Sequence, residues 1–143
     1  MEKAWLGIVS ADHAARAAGQ NWIQLNHGKR NNLTRLRRGD GFVFYSPTQR
    51  LGEKKPLRAV TQLGIVADDV PFQAEELVQM RAGEPVRPWR RRVEFVPARP
   101  VPIGDLAGQL DLTREPGWGH SLRFGLVALS RNDFEVLRRV MTV

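Results

Sequence analysis

Residues 26–47 read NHGKRNNLTRLRRGDGFVFYSP, and the reading of fold and function both turn on them. His27-Gly28-Lys29 makes a turn in which Gly28 allows close approach or a positive φ. Asn31 or Asn32 can cap a short helix whose N-terminus favours an anion. Leu33 and Leu36, three apart, bury one side of that helix and leave Arg35, Arg37 and Arg38 outward. Gly39-Asp40-Gly41 is a second turn. Phe42-Val43-Phe44-Tyr45 is then apolar on both faces, the mark of a fully buried strand, and Pro47 stops it. Lys29, Arg30, Arg35, Arg37 and Arg38 all precede the first acid of the stretch, Asp40. Cations beside a strand end that carries an aromatic and a serine hydroxyl suit a ligand both anionic and flat, and nucleic acid is both.

Working outward, 143 residues make one domain, 1–143, large enough to bury a sizeable core. With no Cys there is neither a disulfide framework nor thiolate chemistry. No apolar run approaches the roughly 20 residues of a membrane span. The apolar N-terminal run lies between Glu2 and Asp12 and reads as a strand, not an export signal, so the cytoplasm is the expected location and no membrane partner is expected. Lys and Arg number 22 against 15 acids, a net charge of +7, and only Lys3, Lys29, Lys54 and Lys55 are lysines. An Arg fork pairs with phosphate and stacks on bases, but an Arg-rich proteome gives the same composition, so charge position must decide.

Ala4 to Ser10 reads as a central strand, and Asp12 as the cap of a short alanine helix, His13 to Ala18, closed by Gly19. His13 in its first turn could be a ligand, but a solvent-facing His is the commoner case there. Residues 21–25 form a short strand feeding the His27 turn. Residues 48–56 form a polar loop, the best candidate for a mobile flap. Residues 58–66 form a long strand in which Gly64 marks a bulge or bend of the kind a small barrel needs. Asp68-Asp69 and Glu75-Glu76 make an acidic segment, expected on the side away from the basic stretch. In the strand Trp89 to Val96, period two places Trp89, Arg91, Val93 and Phe95 on one face, where Arg91 needs a partner or lines a cavity. Residues 103–110 read as a short helix, 112–113 as extended, and 122–129 as the last strand. Trp118, between glycines on a loop, is a stacking platform or a cap over a barrel end. Ser130 and Asp133 form a capping box for a final helix with Phe134, Leu137, Val140 and Met141 on one stripe.

Three histidines without Cys do not make a structural zinc site, and no phosphate loop, nucleophile elbow or dinucleotide fingerprint occurs. No cofactor and no catalytic residue is therefore expected. The chain reads as a binding module, not an enzyme.

The ordered set Trp5-x-Gly-Ile-Val-Ser10, His27-Gly28-Lys29, Gly39-Asp40-Gly41 leading to Tyr45-Ser46-Pro47, Leu63-Gly64-x-Val66, Pro88-Trp89-Arg90-Arg91, Trp118-Gly119 and Arg123-Phe124-Gly125 resembles the EVE domain, of the PUA-like group that also holds YTH and ASCH domains. The resemblance runs essentially end to end. It implies an α+β, β-rich fold: a small, mostly antiparallel β-barrel surrounded by short helices. It also implies a pocket for one base flipped out of its stack and carrying a modification such as a methyl group on cytosine. The partner would be DNA or RNA, and any downstream outcome would come from a separately encoded effector protein or from binding itself. Carried onto this chain, the pocket is Ser10, Asn26, His27, Lys29, Tyr45, Ser46, Trp89 and Trp118, with phosphates held by Arg30, Arg35, Arg37, Arg38 and Arg90. The alternative is a binder of a free modified nucleoside or similar heterocycle.

Overall fold

The structure is a computed structural model and describes residues 3–80 and 83–142. Strand β3 (Gly41–Ser46) is buried along its whole length, as its apolar sequence requires, and the sheet is laid out around it. On one side lies β1 (Ala4–Ile8), parallel, with Ala4 opposite Gly41 and Ile8 opposite Tyr45. On the other lies β4 (Ala59–Val66), antiparallel. Beyond β4 come β6 (Trp89–Val96) and β2 (Trp22–Ile23), and beyond β1 comes β8 (Leu126–Leu129). The order is β2-β6-β4-β3-β1-β8, with β5 (Phe72–Gln73) on β6 and β7 (Val101–Pro102) on β4.

This path has two ends, so the sheet is open and mixed, and the expected closed barrel is corrected. Closure needs end strands that pair along their length, whereas β2 offers two residues and β8 four. The pairs are antiparallel except for β1 with β3, and a parallel pair demands a crossover. Residues 9–40 supply it, carrying helix α1 (Ala11–Gln20) over one face of the sheet.

The other face is covered by a C-terminal helix, Arg131–Met141. Alternation along β3 divides the core accordingly: Phe42 and Phe44 pack with Ala14 and Ala17 of α1, and Val43 and Tyr45 with Phe134 and Leu137. Ser10, not Asp12, caps α1, its Oγ accepting from the His13 amide at 3.4 Å, and Asn21 ends the helix in the left-handed region. Ser130 caps the last helix as expected, accepting from the Asp133 amide at 3.1 Å. The Asp133 carboxylate accepts in turn from the amides of Asp111 and Leu112, which makes the expected extended piece a short helix, α2 (Asp111–Arg114). Helix α3 (Trp118–Ser121) follows, and the helix over the second face is α4. The register shift lies at Phe44/Tyr45 and not at Gly64, where a side chain would instead strike the Glu94 carbonyl.

Arg91 is fully buried and finds its partner in the acidic segment. Its Nε donates to Asp68 Oδ1 at 2.6 Å, and its guanidinium also donates to the carbonyls of Leu33 and Leu36. Asp69 takes the Arg38 guanidinium in two bonds, at 3.0 and 3.1 Å. Asp68 and Asp69 therefore lie against the basic stretch, not away from it, because the buried Arg91 pulls them in, whereas Glu76 pairs with Arg90. Among the described residues, no helix is long and apolar enough to cross a membrane.

Candidate nucleic-acid interface

The crossover that joins β1 to β3 builds a cavity of about 410 Å³ at the end of β1. Ser10, His13 and Arg16 reach it together because residues three apart on a helix share a face. Gln24, Asn26 and His27 form the next wall as the chain leaves β2. Leu51, Val78 and Met80 supply apolar surface with Gln79 among them, and Leu122, Arg123 and Gly125 close the side nearest β8. Among the described lining residues there are two arginines, two histidines and no acid. Neither Arg16 nor Arg123 has an acidic partner among the described residues. The cavity is therefore a positive, partly apolar hollow.

His13 is not solvent-facing, as its place in a first turn suggested, but packed edge-on against Trp22 and Phe44 with ring centroids at 6.0 and 6.3 Å. Burial, seconded by the nearby Arg16 charge, pushes its pKa down from 6.5 to about 4, so it is neutral at neutral pH. A hydrogen bond with the Gln24 backbone opposes that shift, and Nε2 is buried with no hydrogen-bond partner among the described residues. A neutral imidazole keeps one nitrogen as an acceptor. Gln24 is fixed in turn: its Oε1 accepts from Arg90 Nε at 3.1 Å, and the Arg90 guanidinium lies 3.8 Å over the Trp22 ring and bonds Glu76 at 2.7 Å. The Arg90 side chain is thus an internal strut for Gln24, 6% exposed, and does not face phosphate.

Two loops lock together at the mouth. Asn26 and Asn32 both donate side-chain N–H to the Phe124 carbonyl, at 3.0 and 2.9 Å, and Asn32 also donates to Asn26 Oδ1 at 2.7 Å. Gly125 permits this docking: its φ is +79°, and a Cβ there would run into the Asn26 amide nitrogen. Gly28, at φ +80°, is needed for a similar reason, since a Cβ would press on Pro88. Its role is packing, not approach to a ligand. The loop expected as a flap is tied to α1, with Gln49 Nε2 and Arg50 Nε donating to the Asp12 carboxylate at 2.7 and 3.3 Å.

Of the eight pocket residues expected from sequence, Ser10, Asn26 and His27 are brought together at this cavity. Lys29 is exposed just past it. Tyr45 faces the α4 side of the sheet, and Ser46 is fully buried and shares a hydrogen bond with Thr61 at 2.9 Å. Trp89 packs against the α1-side core with the Arg30 guanidinium 5.4 Å over its ring. Trp118 borders a second hollow of about 400 Å³ beside Asp111 and Glu115, which shares no lining residue with the first. Among the expected phosphate residues, Arg35 lies 4.8 Å over the Trp5 ring, Arg38 is neutralised by Asp69, and Arg37 is exposed. His13, Arg16, Gln24 and Arg123 were missed. The spacing of Ser10, His13 and Arg16 was a usable signal for the first two, but nothing in the sequence marks Gln24.

A sequence profile of the EVE domain matches residues 3–140 of the chain. The chain belongs to the EVE domain family. Relatives of this EVE domain include UPF0310 proteins of Renibacterium salmoninarum, 36% identical over 99% of this chain and 97% of the relative, and of Mycobacterium avium, 39% identical over 96% of each. Among solved structures, a hypothetical protein from Leishmania major has the same fold, with a TM-score of 0.59 at 17% identity over 97% of this chain and 94% of the other. Protein Atu2648 from Agrobacterium tumefaciens is also similar, with a TM-score of 0.51 at 14% identity over 96% and 91% of the two chains.

Proposed function

We propose that this EVE domain binds DNA or RNA and takes one modified base, turned out of its stack, into the cavity between α1, the 26–28 turn and the 122–125 loop. The observation that carries the reading is the lining itself: buried polar groups at fixed positions, apolar walls, two unpaired arginines and no acid among the described residues. The volume, about 410 Å³, falls within the roughly 300–1,000 Å³ of small-ligand pockets. A flipped base needs hydrogen bonds to its edge and apolar contact on its faces, to offset an unstacking cost of a few kcal/mol. Neutral His13 offers an acceptor, the Gln24 amide a donor, and Ser10 a hydroxyl whose proton remains available, since the cap uses only its lone pair. Arg16 and Arg123 flank the opening where phosphates would run.

The test is a titration of methylated, hydroxymethylated and plain cytosine in one oligonucleotide sequence, beside the free nucleosides. The reading expects a modified oligonucleotide to bind best, with affinity falling steeply as salt rises. Equal affinity for all oligonucleotides with a flat salt response would sink it. Equal affinity for free nucleoside and polymer would replace it with a small-molecule binder. Binding lost in Gln24→Ala, with the fold intact by circular dichroism, would place the ligand in this cavity.

A further inference from the structure

Among the described residues, the most exposed large apolar side chains are Leu51 at 71%, Leu77 at 67%, Val70 at 65% and Phe124 at 64%. Two of these four belong to the same opening. Leu51 lines the cavity, and Phe124 stands between its lining Arg123 and Gly125. Apolar side chains scattered singly need no explanation, but two at one mouth mark a contact surface. Phe124 differs from Leu51 in how it is held. Its carbonyl is pinned by the amides of Asn26 and Asn32, the glycine after it is locked at positive φ, and its ring stands outward, edge-on to His120 at 6.4 Å. A ring fixed at its backbone and largely exposed is pre-organised for an incoming surface.

The charge around it says what that surface is. Arg16 and Arg123 lack acidic partners among the described residues, no acid shares the described lining, and the chain carries +7 overall. The occupant is apolar at its centre and anionic at its margins. Stacked bases between phosphates have that distribution, whereas a second copy of this cationic chain does not.

We infer that Phe124 is a wedge for double-helical nucleic acid, entering the gap left in the stack when a base moves into the cavity. This rests on the base-binding reading above. Apolar side chains inserted between base steps fill the space beside a base that has left its stack. In a single strand there is no continuous stack to repair, so the ring matters mainly in the duplex.

The experiment compares wild type, Phe124→Ala and Phe124→Trp on a duplex with one 5-methylcytosine or 5-hydroxymethylcytosine, on the matching single strand, and on the unmodified duplex. Because Phe124 is largely exposed, the variants keep the fold. Phe124→Ala is expected to weaken duplex binding about ten-fold, on the scale of one base–aromatic stack. Single-strand binding should change little, and Phe124→Trp should retain duplex affinity. Equal loss on both substrates makes the ring a general stacking platform and overturns the wedge, as does no loss on either. Sedimentation showing a wild-type dimer that Phe124→Ala dissociates overturns it in favour of self-association. A wild-type protein that binds neither strand nor duplex overturns the base-binding reading itself.

Discussion

Arg91 and Asp68 meet at 2.6 Å inside the protein, and the same guanidinium ties down the carbonyls of Leu33 and Leu36. One residue thus fastens the basic turn of residues 31–35 to the back of β6. Removing one member of a buried pair leaves the other charge uncompensated and costs about 3–5 kcal/mol. Asp68→Ala should lower the unfolding free energy by that order, seen as a lower urea midpoint. Asp69→Ala, which breaks only the exposed pair with Arg38, should leave the midpoint nearly unchanged.

His13 predicts an acid-sensitive window. Its folded pKa, about 4, lies below the unfolded 6.5, so the unfolded chain binds the extra proton. Stability is full above pH 6.5 and falls as pH drops toward 4, by about 3 kcal/mol in total. Asp69, Glu76 and Glu135, held low by hydrogen bonds and their arginines, lose their contributions only below the ordinary carboxylate range. Between pH 6.5 and about 4.5 the slope belongs to His13. Urea unfolding of His13→Gln across that range should be flatter than wild type, and an unchanged slope would assign it elsewhere.

Gly125→Ala should strain the 122–125 loop and push Asn26 aside. A non-glycine residue in the left-handed region costs about 1–2 kcal/mol. Thermal unfolding should show that loss, and oligonucleotide affinity should fall further than stability alone requires, because the mouth is held open by the same contact.

If Arg16 and Arg123 are the phosphate contacts, neutralising either should reduce the salt slope of oligonucleotide binding by about one. Arg38→Gln should leave the slope unchanged, since Asp69 already neutralises that charge. Trp118→Phe, in the separate hollow, should leave affinity unchanged, whereas Gln24→Ala should not.

The backbone pattern was legible because burial leaves a period. Phe42 to Tyr45 had to be a central strand, Trp89 to Val96 an alternating one, and Phe134, Leu137 and Met141 a helical stripe. The barrel was not legible from such local signals. It came with the resemblance, and the ends of the sheet are too short to close. The site was half legible for a similar reason. Asn26 and His27 stand out as polar residues around a turn, but Tyr45 shows only that a hydroxyl ends a strand, not which face it takes. Which face it takes depends on α1 and α4 lying on opposite sides. Gln24 and Arg90 carry no local mark at all, since their meaning is a contact across 66 residues.

The pairing of β1 with β8 has a bearing on synthesis. Ile8 N donates to the Gly125 carbonyl at 3.1 Å, and Leu6 stands opposite Val127. A chain emerging from the ribosome can zip β3 to β4 early, because those strands are near in sequence. Its β1 strand must wait for β8, the last strand of the sheet to be made, before its outer edge is covered. The loop carrying Arg123 and Phe124 arrives just ahead of β8. A nascent chain therefore has no finished mouth until β8 has left the ribosome and docked.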